Sequence, residues 1–190
     1  MDDLLKRALD ILLASLALVL TGIPMVLIGL CIKLSSPGPV IYWSDRVGRN
    51  NIIFRMPKFR TMQIKTPAVA THLLHDPDAY LTPVGGIIRR TSLDELPQLW
   101  SILVGSMSIV GPRPALYNQD DLIGLRTAAG VDKLIPGLTG WAQINGRDEL
   151  SVAEKVELDI EYMRRRSFVF DIKIIYMSII NILRRQGVSH

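Results

Sequence analysis

The chain has 190 residues, of which 48% are hydrophobic and 21% charged, with 22 Lys and Arg against 18 Asp and Glu for a net charge of +4. So apolar a composition excludes intrinsic disorder, the single Cys31 excludes a disulfide scaffold, and Cys31 with three scattered histidines (His72, His75, His190) excludes a zinc site built on Cys and His. The basic excess favours anionic partners such as phosphorylated substrates or an acidic membrane face. No basic stretch interleaved with aromatics is present to argue for nucleic acid, and none is expected as a partner.

From Ile11 to Ile32 no side chain is charged. About 20 apolar residues suffice for a helix to cross a bilayer core, so this segment is a membrane element. Pro24 lies inside it; a proline there removes an N–H, clashes with the carbonyl of Leu20 and is expected to kink or break the helix. Thr21 is the neighbour that could satisfy the freed carbonyl. Basic residues flank both ends, Lys6 and Arg7 before and Lys33, Arg46 and Arg49 after. The positive-inside rule expects one side only. Two arrangements stay open: a helix–break–helix that enters and leaves on one face, and a proline-kinked span. Ser35-Ser36-Pro37-Gly38-Pro39 closes the element with turn residues, which divides the chain into a membrane segment, 1–36, and a second unit, 37–190.

Val40–Trp43 and Ile52–Phe54 read as strands joined by a hairpin loop over 46–51, and Lys58 and Arg60 fall on one strand face if that stretch is extended. Asp76-Pro77-Asp78 and Gly85-Gly86 mark loops. Ile87–Val104 reads as helical with internal starts: Ser92-Leu93-Asp94-Glu95 spells a capping box and Pro97 suits a first turn. Helices are also expected over 120–134 and 151–166. The apolar-rich stretch 168–183 is short for a span and suits an interfacial amphipathic helix.

Adjacent acids on a helix diverge by about 100°, so Asp94 and Glu95 do not share a face. Alone they read as first-turn acids favoured by the helix dipole. Their context is cationic. Arg89 and Arg90 lie one turn upstream, Arg113 is held between Pro112 and Pro114, and Lys58, Arg60 and Arg147 stand on strand ends and loops. A carboxylate among such cations can hold Mg²⁺ or attack phosphorus, and arginine suits bidentate phosphate contact.

Four motifs in order carry a resemblance that covers essentially the whole chain. They are Lys58-Phe59-Arg60-Thr61-Met62, Arg89 with Ser92-Leu93-Asp94-Glu95-Leu96-Pro97-Gln98, Val110-Gly111-Pro112-Arg113-Pro114, and Pro136 through Arg147. Asp159, Tyr162, Ser167 and Asp171 also fit the spacing. The chain resembles the monotopic phosphoglycosyl transferases, or bacterial sugar transferases, and by length the small PglC-like members. The resemblance implies an α+β, mainly helical monotopic membrane protein: an N-terminal re-entrant helix broken at Pro24, a small β-hairpin and interfacial helices. Where small members often have Ser-Pro, this chain has Ile23-Pro24.

The family moves a phosphosugar from a UDP-sugar to undecaprenyl phosphate, releasing UMP, with Mg²⁺. By resemblance Asp94 is the nucleophile and a metal contact. Glu95 orients Asp94 or the metal, or assists proton transfer. Lys58, Arg60, Arg89, Arg113 and Arg147 bind phosphate. The resemblance further implies the cytoplasmic face of a bacterial inner membrane, product consumed by downstream glycosyltransferases, and room for a homodimer. A non-enzymatic membrane module binding anionic lipid is the competing reading of the same charges.

Overall fold

The computed structural model describes residues 3–67, 76, 78–146 and 149–184. Its largest element is α1 (Asp3–Ser35), 33 residues and hence about 50 Å long at 1.5 Å per residue. The expected break is not there as an interruption: α1 runs on as one helix with Pro24 inside it. Thr21 does not serve the carbonyl that Pro24 leaves; its hydroxyl donates one turn back to Ala17 O at 2.7 Å. Almost all of the apolar surface of α1 is open. Val19, Ile23 and Leu34 are 77–86% exposed, and only Asp10, Ala14 and Ile32 are buried.

Those three buried positions show how α1 meets the rest. Near its start, Ala14 packs with Met56, Leu99, Ile102 and Met107, and Asp10 accepts hydrogen bonds from Ser108 Oγ (3.0 Å) and Ile109 N (2.9 Å). Near its end, Ile32 packs with Phe59 and Ile88. Polar clamps secure both ends. Lys6 Nζ donates to Asp171 Oδ2 (2.7 Å) and Val110 O (3.0 Å), and Arg7 caps the carbonyls of Ile102 and Leu103 (2.5 and 2.6 Å). Beyond the far end, Arg60 donates to the carbonyls of Ser36, Pro37 and Pro39 at 2.6–3.0 Å. One folded body therefore grips both ends of the same apolar helix.

The hairpin forms as expected but longer. β1 (Ile41–Val47) pairs antiparallel with β2 (Ile53–Phe59), from Val47↔Ile53 to Ile41↔Phe59. Asn50 and Asn51 turn the chain at φ near +60°, a conformation asparagine tolerates. Gly85-Gly86 does not mark a loop; it opens α2 (Gly85–Arg90). Glycine is needed at its first position for a steric reason, because a Cβ on Gly85 would lie 2.0 Å from Thr61 O.

The helical stretch expected over 87–104, with internal starts, forms α2, a 3₁₀ turn at Leu93–Glu95, and α3 (Gln98–Val104). Ser92 sits at φ +56° and makes no side-chain cap, so the capping box does not form. β3 (Ser108–Val110) then pairs parallel with β4 (Gly137–Thr139), within the Pro136–Arg147 motif. Between them, α4 (Asp120–Ala128) ends before Gly130, whose φ of +75° starts a separate 3₁₀ turn, Val131–Lys133. The chain continues through α5 (Trp141–Ile144), α6 (Val152–Arg165) and α7 (Phe168–Arg184). α6 begins with a true capping box, Ser151 and Glu154.

The inner face of α7 packs Phe170 and Ile174 against Val110, Val131, Leu134 and Tyr162. Its outer face leaves Val169, Tyr176, Ile179 and Ile182 exposed. α1 and α7 together present an apolar surface far larger than a soluble monomer ordinarily carries.

Candidate active site

β2 delivers Lys58 at its last turn of pleat, the 3₁₀ turn delivers Asp94 and Glu95, and the loop after β3 delivers Arg113. Contact between β2 and that turn fixes the first pair. Lys58 Nζ lies 3.1 Å from Glu95 Oε1 and 3.8 Å from Asp94 Oδ2, and Arg113 Nη2 donates to the same Glu95 Oε1 at 2.8 Å. Glu95, spelled as a capping residue, is drawn instead into an ion network between two cations from distant parts of the chain.

Asp94 is buried, 7% exposed. Burial raises its pKa above the ordinary carboxylate range and Glu95 adds to the rise, while Lys58, Arg89 and Arg113 pull it down. Burial likewise lowers the pKa of Lys58, against the opposing pull of Glu95 and Asp94. A carboxylate so placed is incompletely hydrated and surrounded by groups suited to phosphate oxygens, the setting in which perturbed carboxylates act as nucleophiles.

The other expected phosphate ligands divide. Arg89 lies in the last turn of α2, close enough to lower the pKa of Asp94. Arg60 lies just past the end of β2, and its guanidinium is engaged by the three carbonyls after α1 rather than joined to the Asp94 network. Arg147 lies outside the described residues.

Two groups that the motifs did not single out for the site support it. Arg46 on β1 donates to Ser44 Oγ (3.0 Å) and Pro114 O (3.2 Å), and burial, with repulsion from Arg113, lowers its pKa to about 10. Arg126 on α4 donates to Arg113 O (2.8 Å) and twice to the buried Asp159 Oδ2 (2.9 and 2.6 Å). Their signal in the sequence was slight: Asp159 fitted the family spacing, but its partner is 33 positions away. The backbone of Arg113 is thus held by two prolines in sequence and by two arginines, through Pro114 O and its own carbonyl, in space.

Among the described residues no three His, Cys, Asp or Glu side chains converge as a metal cage. Magnesium seldom needs one: it binds through one or two carboxylates and completes its shell with substrate phosphates and water. Asp94 and Glu95 are carboxylates of the type such a site uses, Glu95 Oε1 being already engaged by Lys58 and Arg113.

The bacterial sugar transferase model matches residues 1–185. Among curated relatives, the UDP-glucose:undecaprenyl-phosphate glucose-1-phosphate transferase of Escherichia coli is 45% identical over 186 residues, covering 94% of this chain and 40% of the relative. The exopolysaccharide production protein ExoY of Rhizobium meliloti is 39% identical over 191 residues, 92% of this chain and 83% of the relative. The UDP-N-acetylgalactosamine-undecaprenyl-phosphate N-acetylgalactosaminephosphotransferase of Aeromonas hydrophila is 36% identical over 188 residues, 96% of this chain and 44% of the relative. The chain spans less than half the length of the first and third of these. With a family model matched along nearly its whole length, on the motifs that build the Asp94 network, the chain belongs to the bacterial sugar transferases, a phosphoglycosyl transferase family.

Proposed function

We propose that the protein transfers a phosphosugar from a UDP-sugar to undecaprenyl phosphate, by a two-step mechanism on Asp94. The observation that carries the reading is the buried Asp94 carboxylate beside Lys58, with Glu95 tying Lys58 to Arg113. In the first step an Asp94 oxygen attacks the β-phosphorus of the UDP-sugar. The bond from that phosphorus to the bridging oxygen breaks, UMP leaves, and an acyl phosphosugar forms on Asp94. In the second step a phosphate oxygen of undecaprenyl phosphate attacks the same phosphorus, and the Asp94 carboxylate is released. Lys58, Arg89 and Arg113 offset charge on the diphosphate, and Glu95 holds two of them in place. Asp94, with Glu95 alongside, would hold Mg²⁺, which would supply further charge neutralisation at the phosphate oxygens.

Splitting the transfer suits substrates from two phases, one lipid and one aqueous. The grip on both ends of α1 supports a monotopic, re-entrant placement, since a simple span would carry one end away from the body that holds the other. The reading places the body on the cytoplasmic face of a bacterial inner membrane, where UDP-sugars are made. The relatives' names carry both glucose and N-acetylgalactosamine, so the sugar of the UDP-sugar donor is a matter for assay.

The test is UMP release from a panel of UDP-sugars, with and without undecaprenyl phosphate. A matching donor alone gives a stoichiometric burst of UMP and a phosphosugar mass on Asp94; lipid restores turnover. Asp94→Asn abolishes burst, adduct and turnover together. A ternary reaction with no lipid-independent UMP and no adduct would overturn the two-step mechanism, and no UMP from any donor would overturn the activity.

A further inference from the structure

The starts of α1 and α7 are joined by Arg166 Nη2, which donates to Asp3 Oδ1 (3.1 Å), and by Lys6 on Asp171 (2.7 Å). Beneath this junction lies a cavity of about 80 Å³, apart from the Asp94 network. Five cations line it: Lys6, Arg7, Arg49, Lys133 and Arg166. The carboxylates at hand do not balance them. Asp3 is engaged by Arg166 and Asp171 by Lys6, while Asp10 faces Ser108 and Ile109. Arg49 and Lys133 are left. They come from two 3₁₀ turns packed on each other, and among the described residues neither side chain has a hydrogen bond or ion-pair partner. Both are exposed, line one cavity, and are positioned for an anion seated there to join them.

The surroundings indicate which anion. The residues flanking the lining positions in sequence are apolar and exposed: Leu4 (81%) and Leu5 before Lys6, Phe168 and Val169 (76%) after Arg166. The cavity therefore opens where the apolar faces of α1 and α7 give way to the polar body, the level at which lipid phosphates lie and basic pockets take up anionic headgroups. The geometry points to a binding site for the phosphate group of an anionic phospholipid, gripped by Arg49, Lys133 and Arg166. This rests on the membrane placement of α1 and α7 proposed above, not on the reaction at Asp94.

The full chain in neutral detergent micelles is offered equal dioctanoyl-phosphatidylglycerol and dioctanoyl-phosphatidylcholine, and bound lipid is weighed by native mass spectrometry. The wild type retains the glycerol lipid in at least about tenfold excess. Arg49→Glu with Lys133→Glu abolishes the preference. Arg55→Glu with Lys65→Glu, an equal change of charge at exposed positions elsewhere, keeps it. Equal retention of both lipids, a preference that survives reversal at Arg49 and Lys133, or displacement by millimolar inorganic phosphate or UMP as readily as by lipid would each overturn the site. Flotation with phosphatidylcholine vesicles separates the two claims: a chain that floats but shows no preference loses only this site, whereas one that floats with no vesicle loses the membrane placement and the site with it.

Discussion

Arg113 Nη2 and Lys58 Nζ meet at a single oxygen, Glu95 Oε1, at 2.8 and 3.1 Å. Glu95 thereby sets how much positive charge reaches its neighbour, Asp94, whose pKa burial already raises. In the proposed mechanism Asp94 attacks as the carboxylate, so the acid limb of kcat/KM for UMP release should lie above the ordinary aspartate value of about 3.9. Glu95→Gln removes a like charge and frees both cations, and should move the limb to lower pH. Lys58→Met removes an opposite charge and should move it higher. Limbs that coincide in all three proteins would show that Asp94 is not the titrating group.

The same shift has a consequence for stability. A carboxyl whose folded-state pKa is raised favours the fold while protonated; that contribution is present below the unfolded-state value and is lost as pH rises through the folded-state one. At pH 7 the buried charge on Asp94 therefore works against folding. Asp94→Asn should match or exceed the wild type in Tm at pH 7 while abolishing turnover, and its advantage should shrink as the pH is lowered toward 4. Thermal unfolding of both proteins across that range checks the sign.

Arg126 and Asp159 form a buried ion pair that also holds the carbonyl of Arg113. Asp159→Ala leaves a buried guanidinium without its partner and should cost about 3–5 kcal/mol. Replacing both, Arg126→Met with Asp159→Leu, removes the stranded charge and should recover much of that loss. Because Arg113 O would still be released, the double variant should keep a raised KM for the UDP-sugar. Denaturant unfolding in detergent and steady-state kinetics separate the two effects.

Two adjacent glycines should differ sharply. A Cβ on Gly85 would meet Thr61 O at 2.0 Å, whereas on Gly86 its nearest neighbour is Leu81 Cδ1 at 3.5 Å. Gly86→Ala should be neutral or mildly stabilising in its helix. Gly85→Ala must push α2 from the chain after β2 and should lower both Tm and activity, since α2 carries Arg89. Similar Tm values for the two variants would contradict the packing.

What the sequence told, and where it failed, is clearest in two stretches with one spelling. Ser92-Leu93-Asp94-Glu95 and Ser151-Val152-Ala153-Glu154 both read S-x-x-E, yet only the second forms the reciprocal cap. Ser151 stands on the surface, where local hydrogen bonds decide. Ser92 stands beside a buried cationic site, and there Lys58 and Arg113, neither close in sequence, redirect Glu95. Elements with long periodic patterns were legible: α1, α6, α7 and the hairpin. The parallel pair of β3 and β4 was not, because three residues carry no period and their partners lie across α4. For the candidate site, the cationic context of Asp94 and Glu95 was legible, and the resemblance pointed to Lys58, Arg89 and Arg113, which the structure brings beside them. The commitment of Arg60 to three carbonyls and the support from Arg46 and Arg126 depend on tertiary contacts that no local pattern records.

Trimming a hydrophobic leader is the common route from a membrane enzyme to a fragment that dissolves in water. Here that cut would strip the lid from the domain's own interior. Without residues 3–35, Ser108 and Ile109 lose the acceptor that orders β3, Met56, Ile102 and Phe59 face solvent, and the carbonyls ending α3 lose Arg7. α1 and the body it closes pack as one unit, and exchanging this helix for a generic apolar one should give a misfolded polypeptide.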